Sequence, residues 1–527
     1  MKFRFIILLA MVCLAMWGGE AVAQIPSIPD IQDPTVAPEF VGTPVFPHPL
    51  RRKTPTEPLM APVGGMHSDA GNTDVDGNHP GPLGWDPLVK TAVGPCAAFM
   101  FDDLGRMSGA CVNPETHKGS ITALDPDTMS VLGRFEAPGD DNVLMAYALM
   151  DDQGRIMTPT QNHHFMVVER IDTDTETYFK LVRDVDLGGV LEADERLLAT
   201  VPDGEGNVWF ATGGVQNSPQ APIVDYTTIG YFDEYGNCKV LYIDDEIVEN
   251  GFAVATEGAY IVTSKAFYAL SIDDNGEIVT RWRKEYDYGS GIKPGGFAEG
   301  SGSTVTLLGN KYVTITDNAD DRVSLLVYHR KGRRDGNLVC QVPLFSDGAS
   351  AVDVSPIGHK LHGGRYGVVV ANIYNAPSFY IGDGDLNGDW NDLSVMAPGM
   401  TRIDVLPGGC GCETVWQSPI RSTTVSKLST ATGLIYTYTQ DNDLAQEGTY
   451  VWYMSAIDFR TGEEVFKVRV GAGGLKNNNF LTPALGPDGT MYQGVLGGIV
   501  AVKDQGEPPP CGHHGHHGHH GNCDGHH

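Results

Sequence analysis

The densest set of metal-ligating side chains lies at the carboxyl end, where Cys511, His513, His514, His516, His517, His519, His520, Cys523, His526 and His527 are interspersed with glycine. Imidazole and thiolate groups suit Zn2+, Ni2+ or Cu2+, and glycine between the histidine pairs lets the backbone fold around an ion. A second constellation offers only oxygen. Asp383, Asp385, Asn387 and Asp389 are spaced two apart with Gly384 and Gly388 between them, a pattern that suits a hard cation such as Ca2+. Ser394 stands where an EF-hand loop carries its bidentate glutamate, so the match is incomplete.

A third set is scattered: Lys293, Glu299, Asp317, Asn318, Lys427, Asn478 and Asn479, with His163 or His164 as a base. A carboxylate among several amides can ligate Ca2+ and polarise a carbonyl for attack by water. These residues form one site only if the fold brings distant segments to a common point. His67, Asp69, Asp74 and Asp76 make a weaker cluster in a stretch that reads as solvated linker. A nucleophile elbow in context, a zincin helix motif, a phosphate loop and a haem-attachment motif are all missing from the sequence.

The elements that must position these groups repeat about every fifty residues. Turn glycines at 105, 154, 206, 258, 309, 433 and 489 separate apolar, β-prone runs, and most turns also supply Asp or Asn for a tight reversal. Strands group in fours from about 85 to 503, with groups beginning near Leu197, Phe252, Thr304, Ala351, Thr424 and Phe480 after the first two. Helical periodicity is nearly absent, which excludes parallel α/β folds. The expected fold is all-β, an eight-bladed β-propeller, with seven blades as the alternative. The last group has three clear strands, so PLVKTAV (87–93) is expected to close the ring and remove both free sheet edges. In such a ring the loops after second strands and before first strands share one rim. Here they are the longer, Asn- and Asp-rich ones, where ligand sites usually lie.

Residues 1–24 read as a signal peptide: Lys2 and Arg4 precede an apolar run to Trp17, and Ala21-Val22-Ala23 supplies the cleavage site. The run is too short to span a bilayer, and a secreted or periplasmic protein without membrane insertion is expected. A formal charge of −30 excludes nucleic acid as a partner. The expected organisation is a Pro/Gly/Asp-rich arm at 25–84, the propeller at 85–505 and the His-rich tail at 506–527, taken as disordered. Of nine cysteines, Cys13 lies in the leader. The other eight suggest disulfides, with Cys96 and Cys111 able to pair across the first hairpin and Cys238 and Cys340 harder to join.

The segment from Ala456 to Phe466, AIDFRTGEEVF, resembles the docking repeat of pyrroloquinoline-quinone-type propellers, with Phe466 in the tryptophan position, and Ala123 to Thr128 is a weaker copy. The resemblance implies that Asp458 and Thr461-Gly462 form the turn between two outer strands and that the aromatic packs on the neighbouring blade. HSDAGNTDVDGNHPGPLG, GSGSTVTLLGNKYVTITDNAD, KLSTATGLIYTYT and NNNFLTPALGPDGTMYQGVLGGIVAV resemble a group of exported bacterial propellers without assigned activity. Enzymes with the docking repeat hold a quinone and Ca2+ on the axis, often against adjacent half-cystines. No Cys-Cys dipeptide occurs here and six blades lack the repeat, so a quinone is not expected. The reading favoured is a binder of an unidentified small molecule or protein on the loop-rich face, with a metal-binding tail. The competing readings are a calcium-dependent, lactonase-like hydrolase, although such propellers usually have six blades, and a quinone-dependent dehydrogenase.

Overall fold

In the computed structural model, residues 26–53, 65–144, 146–216, 224–378 and 384–508 are described. They form eight blades, seven of four strands and one of six, antiparallel throughout except for one parallel strand added inside the six-stranded blade. The inner strands, in blade order, are Cys96–Phe101, Leu149–Met150, Leu197–Pro202, Ala253–Ala255, Thr306–Leu308, Ile357–Lys360, Lys427–Ser429 and Pro483–Leu485. Blade 8 is completed by Pro87–Val93, which pairs with Gly498–Asp504 in the register Pro87↔Asp504 to Val93↔Gly498. The ring therefore closes as the sequence predicts, with eight blades.

Each blade runs from a core-packed inner strand to a half-solvated outer one. In blade 1 the inner strand is buried at every residue. In blade 2 the outer strand Thr177–Asp186 alternates half-buried and exposed along all ten residues, as a pleat with one wet face requires. The reversals on the face opposite the long loops share one device. Asp102, Asp151, Asp203, Asp233 and Asp273 each accept hydrogen bonds from the backbone N–H groups two and four residues on. The glycine three residues after each aspartate has φ between 74° and 95°, a conformation costly for other side chains.

Among the described residues there are two disulfides. Cys96–Cys111 crosses the first hairpin as expected. Cys340–Cys412 joins the outer strands Leu338–Pro343 of blade 5 and Cys412–Ser418 of blade 6, a pairing the sequence did not single out. Cys238 and Cys410 are free thiols.

The docking segment behaves differently from its expectation. Asp458 does make the turn, accepting from the N–H groups of Arg460 and Thr461. Phe466, however, stacks on Phe40 with ring centroids 5.8 Å apart. The contact with blade 6 is made by Phe459, whose carbonyl accepts from Trp416 Nε1 at 2.9 Å and whose ring lies 4.2 Å from the Arg402 guanidinium carbon. Phe40 belongs to a strap: Phe40–Gly42 adds a strand outside Glu464–Ala472 of blade 7.

Candidate functional site

The central channel, where the scattered residues would have to meet, is filled by the chain's own arm. Carbonyls of Ala70, Gly71, Thr73, Asp74 and Asp76 accept hydrogen bonds of 2.8–2.9 Å from the N–H groups of Val254, Leu307, Gly358, Leu428 and Thr430. Those donors lie in or at the ends of the inner strands of blades 4, 5, 6 and 7, so the arm turns inside the ring and takes a hydrogen bond from each blade it passes. Val75–Asp76 pairs in parallel with Lys427–Ser429. Such winding needs left-handed backbone, supplied at Ser68, Asn72 and Asp74 with φ of 70°, 51° and 53°. Asn and Asp tolerate this region better than most residues.

The arm's polar side chains are buried, which corrects the expectation of a solvated linker at His67, Asp69, Asp74 and Asp76. Asp74 is fully buried. It accepts from Lys427 Nζ at 2.8 Å and also from the Ser355 hydroxyl. His67 Nδ1 lies 3.0 Å from Ser355 Oγ, and Asn72 donates to the carbonyls of Phe252 and Val305. Lys53 pairs with Asp69 and donates to the Val75 carbonyl. Two small cavities beside the arm measure about 10 Å³ each, room for about one water. At the rim Phe297, from the loop between blades 4 and 5, meets Phe480, from the loop between blades 7 and 8, edge to face at 4.8 Å.

Of the residues proposed for an axial site, the structure brings three together. Lys293 donates to the carbonyls of Ala319 and Ser350. Asp317 Oδ1 accepts from the Ser324 N–H at 2.6 Å. Asn318 donates to the carbonyls of Tyr288 and Gly291. Burial pushes the Asp317 carboxyl up to about 6, against the Ser324 and Ala319 N–H groups and with help from Asp287. Burial also lowers the Lys293 ammonium, with Asp317 and Asp320 opposing.

The others are apart. Lys427 lies in the channel on Asp74, and Glu299 is exposed on the rim, its N–H donating to Gln216 Oε1. Asn478 is buried between Thr423 Oγ1 and the Leu481 carbonyl. The Asn479 N–H donates to Asn477 Oδ1. His163 Nε2 is 2.9 Å from the Glu195 carbonyl, while His164 pairs with Asp184 at 2.7 Å on the surface.

In the oxygen-rich loop, Asp383 lies outside the described residues. Asp385 Oδ1 accepts from the Asn387 N–H. Asn387 bridges the strap and blade 7, accepting from the Gly474 N–H and donating to the Ile31 carbonyl. Asp389 is exposed. The tail residues Cys511 to His527 also lie outside the described residues. Among the described residues, no three His, Cys, Asp or Glu side chains are grouped to hold a metal.

Two acids that the sequence reading passed over meet near the mouth. Glu249, in the loop before blade 4, and Asp353, in the loop before blade 6, are 5% and 8% exposed. Burial raises both carboxyls; Asp353 pushes Glu249 higher still, whereas Glu249 and the hydrogen bond from the Phe297 N–H work against the rise at Asp353. Glu249 sits in DDEIVENG, where nothing in the residue pattern separates it from its neighbours Asp244, Asp245 and Glu246.

No family model matches the chain. A protein of Archaeoglobus fulgidus, described as uncharacterized, is 23% identical over 346 residues, or 60% of this chain. The chain spans 63% of that relative's length. Similar solved structures include Sqt1 of Chaetomium thermophilum bound to the N-terminus of ribosomal protein L10, at 10% identity and TM-score 0.44, covering 78% of this chain and 97% of that one. A streptogramin B lyase matches at 11% and 0.36, covering 79% and 98%. Regucalcin of Agrobacterium tumefaciens, a calcium-binding protein, matches at 14% and 0.31, covering 53% and 85%. At these scores no ligand or activity transfers, and the fold rests on the strand pairing described above.

Proposed function

We propose that the chain is an exported propeller that binds a small molecule or a protein on its loop-rich rim, and that its His-rich tail captures Zn2+, Ni2+ or Cu2+. The observation that carries the first part is the filled channel: residues 65–76 occupy the axis, leaving the rim as the face on which long loops are free to meet a partner. There the exposed side chains of Tyr288, Ile292 and Val395 stand among acidic residues such as Asp287, Asp320 and Asp389. Apolar groups framed by carboxylates suit a partner with both apolar and cationic character. The leader at 1–24 and the two disulfides support export to the periplasm or beyond. The formal charge of −30 weighs against nucleic acid and anionic lipid as partners. Among the described residues, no helix is long and apolar enough to cross a membrane.

The test is affinity capture from the periplasm or culture fluid with a rim variant, Tyr288→Asp with Ile292→Asp, and an opposite-face variant, Leu104→Asp. A partner kept by the second and lost by the first supports the rim. A partner lost only with Leu104→Asp refutes it.

A second reading, a hydrolase, is favoured by Asp317, whose raised carboxyl beside Lys293 falls in the range useful to a general base. Turnover of a lactone panel that disappears in Asp317→Asn would establish it. Against quinone chemistry weighs the occupied axis, and the oxygen-rich loop at 383–389 stays a candidate for Ca2+.

A further inference from the structure

Glu249 and Asp353 come from loops two blades apart, yet their carboxyl groups face each other in the interior. Neither is paired with a Lys, Arg or His among the described residues, and both Glu249 oxygens and Asp353 Oδ1 are buried without a hydrogen-bond partner. The fourth oxygen, Asp353 Oδ2, accepts from the Phe297 N–H at 2.7 Å. Three buried carboxylate oxygens without a donor, on two acids that interact with each other, are costly unless something positive joins them. A single shared proton makes one O–H···O bond and leaves one Glu249 oxygen unanswered. One cation answers all three.

The surroundings are built for close approach. A Cβ on Gly302 would lie 1.7 Å from Asp353 Oδ1, so only glycine fits there. Gly302 in turn accepts through its carbonyl from Asn250 Nδ2. The buried hydroxyl of Tyr147 accepts from the Gly251 N–H, and that of Tyr286 from the Ser301 N–H. Both phenols feel the Glu249 charge.

We propose that Glu249 and Asp353 bind one hard divalent cation, Ca2+ in an exported protein, that ties together the rim loops 245–252, 286–305 and 344–356. Carboxylate oxygens without nitrogen or sulfur donors select Ca2+ over Zn2+ or Cu2+, and neutral oxygens from backbone or water complete its usual six to eight ligands. The site shares no residue with the oxygen-rich stretch 383–389 or with the tail. It does not depend on what the rim binds.

The experiment uses the full mature chain in saturating Ca2+ or EGTA, as wild type, Glu249→Gln, Asp353→Asn, and the rim-loop control Asp385→Asn with Asp389→Asn. Bound metal is counted by elemental analysis after dialysis, and Tb3+ luminescence is excited through tyrosine. The expected result is a melting temperature higher by at least about 2 °C with Ca2+ in wild type and in the rim-loop control. Glu249→Gln and Asp353→Asn should each hold one ion fewer per chain and lose that shift. An unchanged ion count in Glu249→Gln, or wild type melting alike in Ca2+ and EGTA, overturns the proposal. If neither acid variant folds, the rim-loop control decides: stabilisation by Ca2+ supports the site, and its absence overturns it.

Discussion

Asp74, carried on the N-terminal arm, takes a hydrogen bond of 2.8 Å from the ammonium of Lys427, on the inner strand of blade 7, in a position closed to solvent. Residues 353 positions apart in the chain are thus joined at the centre of the ring. Burial works to raise the Asp74 carboxyl, but the charges and hydrogen bonds of Lys427 and His67 hold it below the usual range. For Lys427, burial wins and the ammonium lies below the ordinary lysine value.

Removing one partner leaves the other charge buried alone. Lys427→Met or Asp74→Asn should each cost about 3–5 kcal/mol in urea unfolding, and Lys427→Met with Asp74→Leu should cost less than the two singles together. Because the folded Asp74 value is depressed, its contribution is present above the unfolded value near ~4 and is lost as pH falls through the folded one.

His359 should give a separate pH signal. Burial, aided by the charges of Lys53 and Arg402, lowers its imidazole to about 4, with the Arg51 backbone opposing. The fold therefore favours the neutral ring, and its stabilisation is complete above ~6.5 and disappears as pH drops towards the folded value. The loss amounts to about 3 kcal/mol. Stability measured from pH 7 to 4 should fall less steeply in His359→Gln than in wild type.

The two disulfides should differ in worth. Cys340–Cys412 closes a loop of 72 residues and Cys96–Cys111 one of 15, and the denatured chain gains more freedom when the longer loop opens. Paired Cys→Ala substitutions should cost about 4 kcal/mol and about 3 kcal/mol respectively, ranked by urea midpoints of the two variants under oxidising conditions.

Deleting residues 511–527 should abolish most Zn2+ and Ni2+ uptake in a calorimetric titration. The urea midpoint should stay where it is, since the blades, the strap and the channel segment all lie upstream of 511. Unchanged metal stoichiometry would assign the capture elsewhere.

The blades were legible because apolar alternation and the Asp-x-x-Gly reversal are local: each aspartate binds N–H groups two and four residues away, so the signal sits in a few consecutive letters. The closing strand was legible because blade 8 visibly lacked a fourth partner. The arm was not. Residues 67–76 carry Ser, Asp, Gly, Asn and Thr because a chain wound inside a channel needs small side chains, left-handed turns and polar groups that answer many strands, and that composition is also what a linker has. Residue type alone points to Lys427, which does face the axis, but its partner is the arm. Glu249 and Asp353 escaped because their significance lies in what surrounds them, which a rim loop of five acids and amides does not disclose.

The central claim, that the channel is filled by the arm, is tested most directly by hydrogen–deuterium exchange followed by peptide mass analysis. The account predicts that peptides covering 66–76 exchange as slowly as the inner strands Thr306–Leu308 and Lys427–Ser429, whose N–H groups bond to the arm or to neighbouring strands. Exchange of 66–76 at the rate of an open chain, with the inner strands still protected, would contradict it.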